Sequence, residues 1–109
     1  MIATSDLTIL ALDAAGAACS AALWAGGRIA GRRWEAMDRG HAEKLMPMAR
    51  DVVTGGGFQD LDLVAVSIGP GAYTGLRIAI AAARGLGLAL GIPVMGVSSL
   101  EVHLHLARN

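Results

Sequence analysis

At 109 residues the chain is long enough for one small domain, which buries roughly two-thirds of its unfolded surface, and too short for two. Hydrophobic residues make up 54% and aromatics only 4%, so the core must be built from Ala, Leu, Ile and Val, whose small side chains let helices lie close to a sheet. Nine Lys and Arg offset nine Asp and Glu, which excludes capture of nucleic acid or an anionic membrane by net charge alone.

The start, Met1-Ile2-Ala3-Thr4-Ser5-Asp6, has no basic region of the kind an export signal carries. Residues 7–12 form a short apolar run ending in Asp13 and the turn Ala14-Ala15-Gly16, the pattern of a buried strand. Residues 18–24 and 28–35 flank Ala25-Gly26-Gly27 and predict an antiparallel hairpin. Its second strand carries Arg28, Arg32 and Arg33, as an edge strand that must resist pairing with other chains should. The same arginines also fit an RNA patch, although a solvated edge accounts for them without a ligand. Cys19 is the single cysteine, so neither an intrachain disulfide nor a paired-thiolate metal knuckle can form, as suits a reducing, cytoplasmic compartment.

Residues 41–53 place apolar side chains at 42, 45, 46, 49, 52 and 53, the stripe of an amphipathic helix, with Gly55-Gly56-Gly57 as its stop. Pro47 removes one backbone hydrogen bond and should kink it. Residues 63–68 are almost unbroken apolar, which predicts a central strand covered on both faces. Thr74 is placed to cap a second helix that runs to Leu90 and stops at Gly91. Residues 92–97 give a fifth strand, and Ser98 or Ser99 caps a third helix. The longest uncharged stretch, 85–100, is broken by Gly91 and Pro93 and falls short of the roughly 18 apolar residues a spanning helix needs.

The resulting order, β-β-β-α-β-α-β-α with right-handed crossovers, predicts a five-stranded mixed sheet in a ribonuclease-H-like α/β lobe of the actin and sugar-kinase architecture. Such lobes usually come in pairs with nucleotide bound between them.

Gly69-Pro70-Gly71-Ala72-Tyr73-Thr74-Gly75-Leu76-Arg77 leaves the buried strand and opens the second helix. Glycines there let backbone N–H groups converge on an anion, which makes Gly71 and Thr74, with Asp13, weak candidates for a cofactor site. Without the Lys-Ser/Thr pair of a Walker loop, the segment is sufficiently explained as a strand-to-helix turn. Asp13, likewise, is sufficiently explained as a turn former. At about 100° per residue, the small and apolar positions of the second helix span roughly 220° and leave Arg77 and Arg84 as its polar strip. Gly75, Ala79, Ala83 and Gly87 recur every fourth residue, a row that would let another helix approach closely. The first helix can cover part of that arc, and the remainder points to a second protein.

Five ordered blocks carry a resemblance: Ile9-Leu10-Ala11-Leu12-Asp13, Ala18-Cys19-Ser20, His41-Ala42-Glu43-Lys44-Leu45-Met46-Pro47-Met48, the Gly69–Arg77 segment, and Gly91-Ile92-Pro93-Val94-Met95-Gly96-Val97-Ser98-Ser99-Leu100-Glu101. Together they resemble the bacterial TsaB family, also called YeaZ. The resemblance implies a role in making N6-threonylcarbamoyladenosine on transfer RNA, as a non-catalytic dimerisation subunit that binds the enzyme TsaD and works with the ATPase TsaE. Members have two lobes, so this chain corresponds to the N-terminal one, with the C-terminal lobe absent. Docking in the family uses the first two helices. That puts the partner-binding residues at Leu45, Met46 and Ala49 on one and Leu76, Ala79, Ile80, Ala83 and Gly87 on the other, with a homodimer through the same helices as an alternative. Transfer RNA is then met only through the complex.

The catalytic relative carries an H-x-x-x-H metal pair after the fifth strand. The matching positions here are Ser99 and His103, so one ligand is missing, and His105, two residues on, points elsewhere on a helix. No catalytic or metal-binding residue is therefore expected in this chain, and ATP and metal are expected in the partner enzyme. Two other functions remain open from the residues: an ATP-binding phosphotransferase or glycoprotease-like lobe, and an isolated lobe that self-associates.

Overall fold

The computed structural model describes residues 7–14, 18–36, 40–53, 57–69 and 73–98. They form β1 (Ile9–Asp13), β2 (Ala18–Ala25), β3 (Arg28–Ala36), α1 (His41–Val52), a 3₁₀ turn (Gly57–Asp60), β4 (Leu63–Gly69), α2 (Tyr73–Leu90) and β5 (Val94–Ser98). The sheet order is β3-β2-β1-β4-β5, with the first three strands antiparallel and β1, β4 and β5 parallel. Each parallel neighbour is reached through a helix, as a crossover requires. The expected third helix lies outside the described residues.

Local chemistry sets the boundaries. Gly26 and Gly27 both have positive φ, 63° and 80°, which gives the β2–β3 hairpin the twist its two-residue loop needs. Thr8 and Asp62 hold the starts of β1 and β4 together: the Thr8 N–H donates to Asp62 Oδ2 at 2.8 Å and the Asp62 N–H to the Thr8 carbonyl at 2.8 Å. At the end of α2, Gly91 turns left-handed with φ 67° and the Ile92 N–H donates back to the Gly87 carbonyl at 3.1 Å. That closing bond takes Ile92 into the helix cap, so β5 begins at Val94 instead of 92. Thr74 is also displaced from its expected role: α2 already includes Tyr73, which places Thr74 inside the first turn and not at the cap.

The core is a single cluster between the sheet and one helical layer. Leu10, Leu12 and Ala14 of β1 and its exit, Cys19, Ala21 and Leu23 of β2, and Val64 and Val66 of β4 are buried. They meet Leu45, Met48, Ala49 and Val52 of α1 and Ala79 and Ala83 of α2. Alternation along β1 and β2 shows that, among the described residues, one sheet face is sealed and the other is not. The expectation that β4 is covered on both faces is therefore corrected among the described residues. Leu63, Ala65 and Ser67 are half-buried, and Ile68 is 53% exposed.

A candidate partner-binding face on the second helix

Of the eight residues assigned to a partner, five belong to this lobe's own core. Leu45, Ala49, Ala79 and Ala83 are almost wholly inaccessible, and Gly87 is buried. The row Gly75, Ala79, Ala83, Gly87 lies on the sheet. A Cβ at Gly75 would overlap the carbonyl oxygen of Ala14 on the chain leaving β1, and one at Gly87 would lie 3.1 Å from the Ile92 carbonyl oxygen. Close approach is what the row provides, as its spacing suggests, but the surface approached is β1, β4 and β5 and not a second protein. Met46, Leu76 and Ile80 are half-buried on the flanks of the two helices.

The apolar excess of α2 is real and lies elsewhere on the helix. Ala81, Gly85, Leu88 and Ala89 are exposed beside Arg77 and Arg84, and Leu88 is 87% exposed. The position a Cβ would take on Gly85 has nothing within 4 Å. Ala81, Gly85 and Ala89 thus form a second row, of three residues spaced four apart, facing out, with Leu88 standing over it. One sequence signal locates this face: at about 100° per residue Leu88 falls only about 20° from Arg77 and about 40° from Arg84, so it must share their outward direction. α1 presents a different surface. Ala42, Glu43, Lys44, Pro47, Arg50 and Asp51 are exposed along it, mostly charged.

On the open sheet face, Asp13 is exposed at the end of β1 and lines a shallow basin of about 290 Å³ with Ser20, Arg32 and Ser67 over a floor of Ala11, Ala22 and Ala65. Thr74 is exposed in the first turn of α2, and Gly71 lies outside the described residues. The contact between Ala14 and Gly75 brings the chain after Asp13 against the start of that helix. Ser99, His103 and His105 lie outside the described residues. Among the described residues, no three of His, Cys, Asp and Glu group closely enough to hold a metal ion. Cys19 is a buried, reduced thiol, and burial, with the nearby Asp13 and Glu35 carboxylates, pushes its pKa up. No helix of the described residues is long and apolar enough to cross a membrane.

Comparison with known proteins decides the family. The family model "TsaD: tRNA N6-adenosine threonylcarbamoyltransferase" matches residues 31–109. The tRNA threonylcarbamoyladenosine biosynthesis protein TsaB of Escherichia coli is 41% identical over 96 residues, covering 86% of this chain and 41% of that protein. The solved structure of YeaZ from Pseudomonas aeruginosa superposes with a TM-score of 0.80 at 45% identity, over 84% of this chain and 44% of that one. The chain belongs to the TsaB (YeaZ) family. A TsaB-type sequence is close enough to the transferase that a tRNA N6-adenosine threonylcarbamoyltransferase of Anaeromyxobacter dehalogenans is also 39% identical, over 80 residues and 24% of its own length. The chain spans about half the length of the TsaB relatives it matches.

Proposed function

We propose that this chain is the ribonuclease-H-like N-terminal lobe of a TsaB-type subunit in tRNA threonylcarbamoyladenosine synthesis, and that it acts by holding a TsaD-type transferase. In this account the lobe does no chemistry itself, and ATP and metal belong to the enzyme it holds. A TsaE-type ATPase joins the same cytoplasmic assembly, and transfer RNA enters it as substrate.

The observation that carries the proposal is the outward apolar strip of α2. An 87%-exposed Leu88 above Ala81, Gly85 and Ala89 is a knob beside a shallow groove, a surface suited to packing against another helix. The kinship between TsaB and TsaD sequences supports a pseudo-symmetric pair, in which equivalent helices of two related lobes face each other. When no transferase is present, the same strip pairs two copies of this chain.

Calorimetric titration of the chain into a purified TsaD-type transferase, with light scattering of each component alone, tests the proposal. Saturable association that competes with self-association is expected. Failure to associate at protein concentrations of about 100 μM, weaker than about 5.5 kcal/mol of binding free energy, would overturn it.

A further inference from the structure

The β2–β3 hairpin presents an unusual surface on the side of the sheet away from the helices. Residues paired across antiparallel strands share a face, and Trp34 pairs with Ser20, Arg32 with Ala22, and Ile29 with Trp24. The buried positions of β2 are Cys19, Ala21 and Leu23, so Trp34, Arg32 and Ile29 all lie on the open face. Trp34 is 70% exposed, which is uncommon for the largest apolar side chain unless something stacks on it. Arg32 is its neighbour along the strand. Arg33, whose Nη1 donates to the Arg32 carbonyl at 3.2 Å, pairs with buried Ala21 and so starts from the opposite, helix-covered face. Glu35, the one acid of β3, pairs with Cys19 and so belongs to the opposite face, while Asp13 shares the open face two strands away.

We propose that this hairpin face binds a single-stranded segment of RNA, with a base stacked on Trp34 and a flanking phosphate on Arg32. Stacking on an exposed aromatic is independent of base identity, and the Arg32 guanidinium, two residues along the strand on the same face, complements the backbone charge of a bound strand. The zero net charge of the chain supplies no long-range attraction and fits a local contact with one or two nucleotides. The alanine floor beside Arg32, formed by Ala11 and Ala22, lets a strand lie close to the sheet. The choice of RNA over another polyanion rests on the proposed role in tRNA modification. The contact itself involves neither α2 nor the transferase.

Fluorescence anisotropy of the 109-residue chain with a labelled single-stranded oligoribonucleotide, and with an unmodified tRNA transcript, tests this without any partner protein. Salt-sensitive binding is expected, weakened about tenfold by Trp34→Ala and largely kept by Trp34→Phe. Arg32→Gln should reduce the salt slope by about 0.7 for each phosphate it ceases to neutralise, which gives a second variant if Trp34→Ala does not fold. Leu88→Glu should leave RNA binding unchanged, so effects on transferase binding and on RNA binding are separable. Absence of RNA binding, or binding indifferent to both Trp34→Ala and Arg32→Gln, would overturn the proposal. So would a Trp34→Ala variant that keeps RNA binding but no longer binds the transferase, which would make Trp34 a protein contact.

Discussion

Gly75 at the start of α2 lies so close to Ala14 that a Cβ on the glycine would overlap the Ala14 carbonyl oxygen. This contact sets how near the helix lies to β1 and therefore which side of α2 is left to face outward. Gly75→Ala should force the two backbones apart and cost about 1–3 kcal/mol, the usual penalty of overpacking. Gly85→Ala, where the added methyl meets nothing, should instead stabilise α2 by about 0.5–1 kcal/mol. Denaturant melts of the two variants against the parent give both signs.

Ala83, wholly buried between α2 and the sheet, separates folding from binding. Ala83→Glu would place an unpaired carboxylate in an apolar core, and the lobe should lose its cooperative melt. Ala81→Glu, two residues earlier and exposed, should change stability by no more than about 0.5 kcal/mol. Thermal unfolding followed by circular dichroism distinguishes them.

Cys19 links stability to alkaline pH. Its thiol pKa is raised in the folded state above the ordinary value of 9.0, so the folded chain retains a proton that the unfolded chain has begun to lose. Its contribution is complete below pH 9.0 and declines as pH rises toward the folded-state pKa. The melting temperature of the parent should fall more between about pH 8 and pH 10 than that of Cys19→Ala, whatever the offset between the two at the lower pH. Equal slopes would show that Cys19 is not responsible.

The Thr8–Asp62 pair predicts a small effect. Asp62→Ala removes the carboxylate that accepts the Thr8 N–H at 2.8 Å, at an exposed site where water can replace it. A loss of about 0.5–1.5 kcal/mol is expected in urea unfolding. Asp62→Asn keeps an accepting oxygen and should restore most of that stability.

The strands and both helices were legible in the sequence because each is specified by local pattern. Two adjacent glycines demand the hairpin, the 42–53 apolar stripe demands an amphipathic helix, and Gly91 demands a stop. The direction of α2 was not legible, because it carries two rows of small residues at the same spacing, Gly75-Ala79-Ala83-Gly87 and Ala81-Gly85-Ala89. Small residues permit close approach to a sheet as readily as to a helix, so spacing alone does not assign a row to either. Leu88, in register with Arg77 and Arg84, held the information, since charged side chains at these positions must face water. β4 misled for a related reason. A run of Leu, Val, Ala, Val, Ser and Ile looks two-sided, but the residues on its second face are small or half-exposed, and among the described residues its helical cover lies on one side only.

If the outer strip of α2 is the surface that holds a transferase, Leu88→Glu must disturb binding without disturbing the fold. The side chain is 87% exposed, so the variant should melt within about 0.5 kcal/mol of the parent. Calorimetric titration of this folded variant against the TsaD-type transferase is the decisive measurement. An affinity weakened about thirtyfold or more, equivalent to about 2 kcal/mol, is expected. Unchanged affinity in a folded Leu88→Glu chain would refute this assignment and move the partner surface off α2.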